Sequence, residues 1–587
     1  MKKIRIVIIL CIITMVCSPI NQVYGNSQFV SKNQIFYDIK EKQENNSEFD
    51  NGSKIEKIIL SEESINNLVL LGKIWGYLKY YHPNVAEGKY NWDYELFRIL
   101  PKVIDADKST RDKSLYDWIE SQGDFKIRDR VKPVAEEIKV AANLDWITNS
   151  NLSNNLVIQL TNIKNAERKG INRYVSLDWG AGNPNFQNER SYEAMKYPDV
   201  GYRLLSLYRY WNIIEYYFPY KYLIDENWDD VLREFIPKFI NSSNELEYNL
   251  TVLELIERVH DTHADIFGNP TLQNYFGENL APVKINFIEG RPVVVGYYNE
   301  ALGKKSGFEL GDIITGINNR TIENIVEDNL KYYPASNYPT KLRNMSSDLF
   351  MTNDDFLNVE FIRGDKKQSS KLQCYPIDEI FDNKPKLNKD YFKLINSNIG
   401  YIYPGAIKNE YIPEVMSKVK ETKGLIIDLR CYPSDFIVFT LGSYLMPKSS
   451  EFVKFTQGNI YEPGVFHMKQ PLKVGKNNPN YYKGKVVIIV NETTQSNAEY
   501  TAMAFRAAPN ATVIGSTTAG ADGNVSEIYL PGGIYTMISG IGIYYPDGGE
   551  TQRIGIVPDI EIHPTIEGIK EGRDELLEKA IEIINGE

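Results

Sequence analysis

The stretch LGKIWGYLKYYHPNVAEGKYNWDYELFRILPKVI (71–104) aligns without a gap on LYRYWNIIEYYFPYKYLIDENWDDVLREFIPKFI (207–240). The offset is a constant 136 residues, pairing Trp75 with Trp211, Pro83 with Pro219, Trp92 with Trp228 and Pro101 with Pro237. Within each copy the apolar residues recur at helical spacing, and a proline ends the first helix because it lacks an amide and clashes with the preceding turn. Two copies of a helical hairpin are expected, too few for a solenoid array. His82 falls opposite Phe218, so its position accepts an aromatic ring without chemistry, and His82 is read as structural.

A chain of 587 residues exceeds what one core can serve and divides into roughly three to five domains. Its first residues, MKKIRIVIILCIITMVCSPINQVYG, combine Lys2, Lys3 and Arg5 with an apolar run from Ile6 to Ile20 and small or polar residues near Gly25. This is the pattern of a secretory signal (1–25), and the apolar run is short for a membrane span. Cleavage near Gly25 places the mature chain outside the cytoplasm, secreted or in the cell envelope; an uncleaved signal would act as a membrane tether. Loss of three basic residues and no acid takes the formal charge of −11 to about −14, which argues against a nucleic-acid or anionic-membrane partner. Cys11 and Cys17 fall in the signal, and Cys374 with Cys431 are too few for a disulfide framework or a zinc site. Both are read as thiols.

Residues 26–57 are polar and turn-rich and are expected to form a flexible leader. Then follow a helical domain with the first repeat copy (58–146), a connector rich in Asn, Gly and Pro with a few strands (147–200), and the second copy, closing on VLELIERVHDTHADI (201–270). Residues 281–377 alternate in strand fashion. From 380 to 587 apolar runs (IGYIYPG, GLIIDLR, KVVIIV, ATVIG) alternate with helical segments. The whole is a multi-domain α+β chain.

Within the last unit, NETTQSNAEYTAMAF (491–505) is a polar turn between the apolar run 486–490 and an alanine-rich helix. Ser496, with Glu499 three residues on, fits a capping box, in which each side chain satisfies an orphan amide. On this spacing alone, helix cap and nucleophile are both open.

Four ordered motifs bear on the choice. DLR at 428–430 followed by CYPSD, SNAE at 496–499, VIGSTTAG at 513–520 and GIVPDIEI at 555–562 resemble the DLRxNPGG turn, SASE nucleophile turn, VGxxTxG loop and GxxPD ending of the tail-specific, or C-terminal processing, serine peptidases. SGFELGDIITGINNRTI (306–322) resembles the PDZ signature. The resemblance implies a ββα-spiral, crotonase-like α/β catalytic domain at 380–587. It also implies a PDZ-like module that binds an extended peptide at a sheet edge. The implied activity is endopeptidase cleavage of protein or peptide substrates through an acyl-enzyme on Ser496, with C-terminal tails engaged.

A serine hydroxyl is a weak nucleophile and needs a base. In the family's bacterial processing branch that base is a lysine twenty-five residues after the serine; here the position is Ala521, and no lysine occurs between Lys485 and Lys570. The tricorn-like branch uses a histidine ahead of the PDZ module, preceded by a small hydroxyl residue, and HDTHAD supplies Thr262-His263. Histidine titrates near neutrality and needs a partner to orient its ring. That branch's glutamate aligns nearer Gln552, with Glu550 two residues away. For the oxyanion hole the resemblance assigns the amide of Asn497 and the turn Pro433-Ser434-Asp435, where the family has paired glycines. His260, His467 and His563 match no motif. No metal-ligand cluster, phosphate loop or nucleotide fingerprint is present, so no cofactor is expected. The departures at Ala521 and Ser434-Asp435 define a second reading, an inactive pseudopeptidase that binds or scaffolds through its PDZ-like module. A carrier of small hydrophobes on the same fold is a third.

Overall fold

The computed structural model describes residues 47–128, 137–382 and 390–586; the expected signal and most of the expected leader lie outside the described residues. Helix α1 (Glu62–Tyr81) starts at Ser61, whose side chain accepts from the Ser64 amide, and stops at His82 ahead of Pro83. α2 (Trp92–Val103) folds back on it, and α3 (Val200–Tyr217) and α4 (Trp228–Asn241) form a second such pair. In the first pair Trp75 and Trp92 each donate an indole N–H to the other's carbonyl at 2.9 Å. Trp211 and Trp228 do the same at 2.7 and 3.0 Å. A buried indole needs an acceptor, and each tryptophan supplies the other's, which locks the two helices together.

Between the two pairs lies a buried ionic cluster: Glu189 takes Lys79 at 2.6 Å and Arg209 at 2.9 Å, and Arg209 reaches Asp93 at 2.8 Å. Shared carboxylates offset the desolvation of both cations. His82 packs edge-on against Phe125, and burial lowers its pKa to about 4, so it is a neutral aromatic filler.

The expectation that 26–57 forms a flexible leader needs correction at its C-terminal end. Phe49 packs edge-on against Tyr94 and Phe97 at 5.3 and 5.4 Å, and the Ser53 amide and hydroxyl both donate to Asp199 at 2.6 Å. The polar average of the segment masked these anchors. The connector is also more helical than expected, with a helix at Asn154–Lys164 beside the short hairpin Val175–Leu177/Pro184–Phe186.

After α5 (Glu245–Glu257) comes an antiparallel sheet of β1 (Val283–Ile288), β2 (Arg291–Tyr297), β3 (Ile313–Ile317), β4 (Phe356–Arg363) and β5 (Lys366–Gln373), ordered β5-β4-β3-β2-β1. Alternation along β4 buries Leu357, Val359 and Phe361 on one face.

The last unit contains β6 (Phe392–Ile395), β7 (Ile399–Ile402), β8 (Gly424–Asp428), β9 (Lys485–Val490), α6 (Asn497–Arg506) and β10 (Ala511–Gly515). The hairpin β11 (Val525–Leu530)/β12 (Ile534–Ser539), β13 (Ile560–Glu561) and α7 (Glu575–Asn585) complete it. Strands β6-β7-β8-β9-β10-β13 form one sheet, parallel except for the first pair. β8 and β9 are apolar almost throughout because both faces are covered. Leu425, Ile427 and Ile488 pack toward α6, while Ile426, Val487 and Ile489 pack toward Leu576, Ala580 and Ile584 of α7. The β11–β12 hairpin leaves this sheet and places Ile528, Leu530, Ile534 and Ile538 in the core of the helical region. That shared core carries the turn after α5 to the edge of the serine-bearing domain.

Candidate active site

Ser496 ends the turn from β9 into α6 with φ 56° and ψ −120°. An N-cap residue ordinarily lies in the β region. The observed angles are those of the first central residue of a type II′ turn, where glycine is at ease and serine is strained. Strain of this kind exposes a nucleophile at a strand-to-helix turn. Glu499 holds it in place. Its fully buried carboxyl accepts from the Ser496 amide at 3.1 Å, the Gly520 amide at 2.8 Å, the Ala521 amide at 3.1 Å and the Thr518 hydroxyl. Burial raises the Glu499 pKa and these four donors pull it back. The Ser496 amide also donates to the Ala521 carbonyl at 3.0 Å. Glu499 of the expected capping box is therefore the hub that clamps two loops together.

The second loop also anchors the turn that carries His263. At φ 53° His260 reverses the chain after α5, and the Ala264 amide closes a turn on the Asp261 carbonyl at 3.0 Å. The Thr262 hydroxyl donates to the Ala519 carbonyl at 2.9 Å and accepts from the Ser336 amide at 2.8 Å, while the Thr262 amide donates to the Ser336 hydroxyl at 3.0 Å. Thr262 thus ties the histidine turn to the loop that Glu499 ties to Ser496. The His263 ring places Nδ1 2.9 Å from Ser539 Oγ, and its buried Nε2 has no hydrogen-bond partner. Burial lowers the His263 pKa against the pull of Asp261, so the imidazole is neutral and one nitrogen is a bare acceptor. No hydrogen bond joins His263 to Ser496.

Ser496 instead engages Tyr432: burial raises the Tyr432 phenol, and a side-chain hydrogen bond with Ser496 offsets part of that rise. Asp522 is buried with Oδ2 unpartnered, and burial together with Glu499 pushes it well above the carboxylate range. An aromatic wall adjoins the serine, with Tyr500 5.9 Å from Phe436 and 5.2 Å from Phe452, and with Phe436 and Phe439 exposed.

The remaining residues singled out in the sequence are placed as follows. Asn497 is the first residue of α6, so its amide belongs to the first turn, which has no intrahelical acceptors. Ser434 is corrected as an oxyanion donor: its amide donates to the Pro404 carbonyl at 2.9 Å and its hydroxyl to Ile407 at 2.7 Å. Asp435 turns its carboxyl to the amides of Asn409 and Phe436 at 3.0 and 2.9 Å. Gln552 Nε2 lies 3.4 Å from both Asp261 Oδ1 and Ser336 Oγ, and does not reach the imidazole. Glu550 accepts from Tyr222 at 2.8 Å and Lys139 at 2.9 Å; that pairing with a cation holds it away from the ring, and its expected orienting role is corrected. His260 lies 3.4 Å from both Glu257 and Asp225, His467 is buried in a strand, and exposed His563 sits beside Glu561. No disulfide joins Cys374 and Cys431. Among the described residues no His/Cys/Asp/Glu group is set to hold a metal, and no helix is long and apolar enough to cross a membrane.

Sequence reasoning missed Tyr432, Asp261 and Ser539. The first two lie inside quoted motifs, CYPSD and HDTHAD, while nothing local marks Ser539.

A half-buried serine held at a strained strand-to-helix turn, with a neutral buried histidine on a turn fastened to the same loop, is the arrangement a serine peptidase, a hydrolase, uses. Residues 398–562 match the model of Peptidase family S41. No curated protein sequence matches the chain. Among solved structures, mature CPAF complexed with lactacystin is 14% identical with a TM-score of 0.50, over 66% of this chain and 99% of that one. A second structure of mature CPAF is 13% identical with a TM-score of 0.50, over 66% and 98%. The photosystem II D1 C-terminal processing protease is 15% identical with a TM-score of 0.38, over 64% and 98%. At these identities the likeness to CPAF is one of fold.

Proposed function

We propose that the chain is an extracytoplasmic endopeptidase of the Ser–His type that cleaves protein or peptide substrates, engaging their C-terminal tails. The observation that carries this reading is the neutral His263 with an unpartnered Nε2, hung by Thr262 on the same loop that Glu499 fastens to Ser496. In the first step the Ser496 O–H bond breaks as its oxygen bonds the scissile carbonyl carbon, the proton moves to Nε2, and the carbonyl π pair becomes an oxyanion. Collapse breaks the C–N bond, and Nε2 returns the proton to the leaving amine. Water then repeats the sequence on the acyl-enzyme.

The Asn497 amide is one oxyanion donor in this reading, and the Tyr432 hydroxyl, beside Ser496, is the second. Since no bond joins His263 to Ser496 in the free protein, Ser496 exchanges Tyr432 for His263 when substrate enters; catalytic hydrogen bonds commonly tighten only in the complex. The antiparallel unit at 281–377 acts as the PDZ-like module, and the paired helices at 58–146 and 201–270 act as a duplicated helical scaffold.

Hydrolysis of an unfolded protein substrate by the mature chain, compared with Ser496→Ala and His263→Ala, tests the reading. Loss of cleavage in both folded variants is expected. A folded wild type that binds the substrate without cleaving it would favour the pseudopeptidase reading, which the loss of the Ser434 amide to Pro404 supports.

A further inference from the structure

The residues the family resemblance offered for orienting His263 do not touch its ring, yet the ring is held. Asp261 and Ser539 are fully buried and His263 is 3% exposed. Asp261 Oδ1 accepts from the Ser539 hydroxyl at 2.9 Å and the His263 amide at 3.1 Å; Oδ2 accepts from the Ser539 amide at 2.5 Å. Gln552 Nε2 lies 3.4 Å from Oδ1. A carboxylate only accepts, so the Ser539 hydroxyl proton points at Asp261. The oxygen of Ser539 then meets His263 Nδ1, at 2.9 Å, with lone pairs alone, and Nδ1 must carry the imidazole proton. Nε2 is left as the bare acceptor, the state a general base requires.

We propose that Asp261 and Ser539 are the positioning residues of this peptidase: a carboxylate acting through a serine hydroxyl fixes the tautomer and orientation of His263 and stabilises its imidazolium. The inference rests on the Ser496–His263 reading given above. Nδ1 lies 3.8 Å from Asp261 Oδ1, too far for a direct hydrogen bond and near enough for the charge to act through space. When Nε2 takes the serine proton, no further proton moves: Nδ1–H stays on nitrogen and the Ser539 proton stays on oxygen. Asp261 and His263 come from the turn after α5, whereas Ser539 ends β12, so the orienter exists only when the helical region and the serine-bearing domain are docked. The other titratable groups around this cluster are Tyr210, whose phenol is raised first by burial and then by Asp261, and Asp265 farther along the same turn. Neither bonds the ring.

A structural role for Asp261, bracing its turn through the His263 amide, predicts loss of stability in Asp261→Asn and nothing for the ring in Ser539→Ala, where the Ser539 amide still braces the carboxylate. Positioning predicts a different pattern. Fluorophosphonate labelling, in which Ser496 Oγ bonds phosphorus and fluoride leaves, and peptide hydrolysis should both fall about a hundredfold in Ser539→Ala and in Asp261→Asn, the hydrolysis in kcat with KM little changed. The pH at which activity is half-lost on the acid side should move down with the pKa of His263, and Ser539→Thr should restore much of the rate.

Selective 15N labelling of the five histidines, with His263→Gln for assignment, reads the tautomer directly. Wild type should show a protonated Nδ1 and bare Nε2 at His263, and Ser539→Ala a mixture. If Ser539→Ala and Asp261→Asn are labelled like wild type while His263→Ala is not, the relay is overturned and the Ser–His reading stands. If wild type is never labelled, that reading fails, and the nitrogen spectrum alone decides the relay: an Nε2-protonated His263 overturns it.

Discussion

Replacing Glu499 by glutamine tests the clamp that holds the strained serine. The carboxylate takes two donors on each oxygen: Thr518 and Gly520 on Oε1, Ser496 and Ala521 on Oε2. The amide keeps one carbonyl oxygen, enough for two donors, and turns an NH2 toward the other two. Two lost charge-assisted bonds at about 1.5–3 kcal/mol each give a local loss of about 3–6 kcal/mol. Because several domains unfold here, a single melting curve is the wrong readout. Amide hydrogen exchange over 491–523 measures the opening of the clamp itself. Exchange there should accelerate by at least about a hundredfold, a factor of ten for every 1.4 kcal/mol, and phosphonylation by a fluorophosphonate should slow with it as Ser496 relaxes. If Glu499→Gln leaves both within about twofold of wild type, the four contacts do not support the serine and the reasoning is wrong.

Ser496→Gly should release backbone strain of about 1–3 kcal/mol, less about 0.5–1 kcal/mol for glycine's greater unfolded freedom, slowing exchange in the same segment while abolishing acylation. Ser496→Ala keeps the strain and should show only the second effect, so equal exchange in the two variants counts against a strained serine. Tyr432→Phe should slow acylation about a hundredfold or more if its hydroxyl serves the oxyanion; an unchanged rate assigns it to the resting state alone. Burial raises Asp265 to about 7 and neighbouring Asp348 to about 6. Carboxyls with folded pKa values above their unfolded ones stabilise most below about pH 4, and that stability drains away as pH rises toward 7. Asp265→Asn should therefore flatten the loss of amide-exchange protection around 258–268 between pH 5 and 8, and parallel protection–pH curves for variant and wild type would contradict this.

The parts of the site that were legible in the sequence are those made by neighbours in the chain. Ser496 with Glu499, and Thr262 with His263, stand in short motifs whose chemistry survives without a structure. Trp75 with Trp211 and Trp92 with Trp228 were legible as equivalent positions of a repeat, and the reciprocal indole bonds within each copy explain why tryptophan occupies all four. The orienter was not legible, because Ser539 lies 276 residues beyond His263 and meets it only after the β11–β12 hairpin enters the helical core. Alignment by spacing pointed to Gln552 and Glu550 instead; one stops at Asp261, and the other is drawn to Lys139 and Tyr222 at the surface. Ser434 was misjudged for a related reason, since whether a turn amide is available depends on the Pro404 carbonyl that meets it in space. The order beginning near Phe49 escaped a compositional argument that averages Phe49 and Ile55 with the polar residues around them.

The central claim is that Ser496 is a nucleophile activated by His263. The most direct measurement is peptide mass spectrometry of the mature protein after a fluorophosphonate probe, with the adduct mapped and its rate of formation compared in His263→Ala. The account predicts one adduct, on Ser496, formed at least about a thousandfold more slowly without His263. An unmodified Ser496 in folded wild-type protein, or labelling at the same rate without His263, would contradict it.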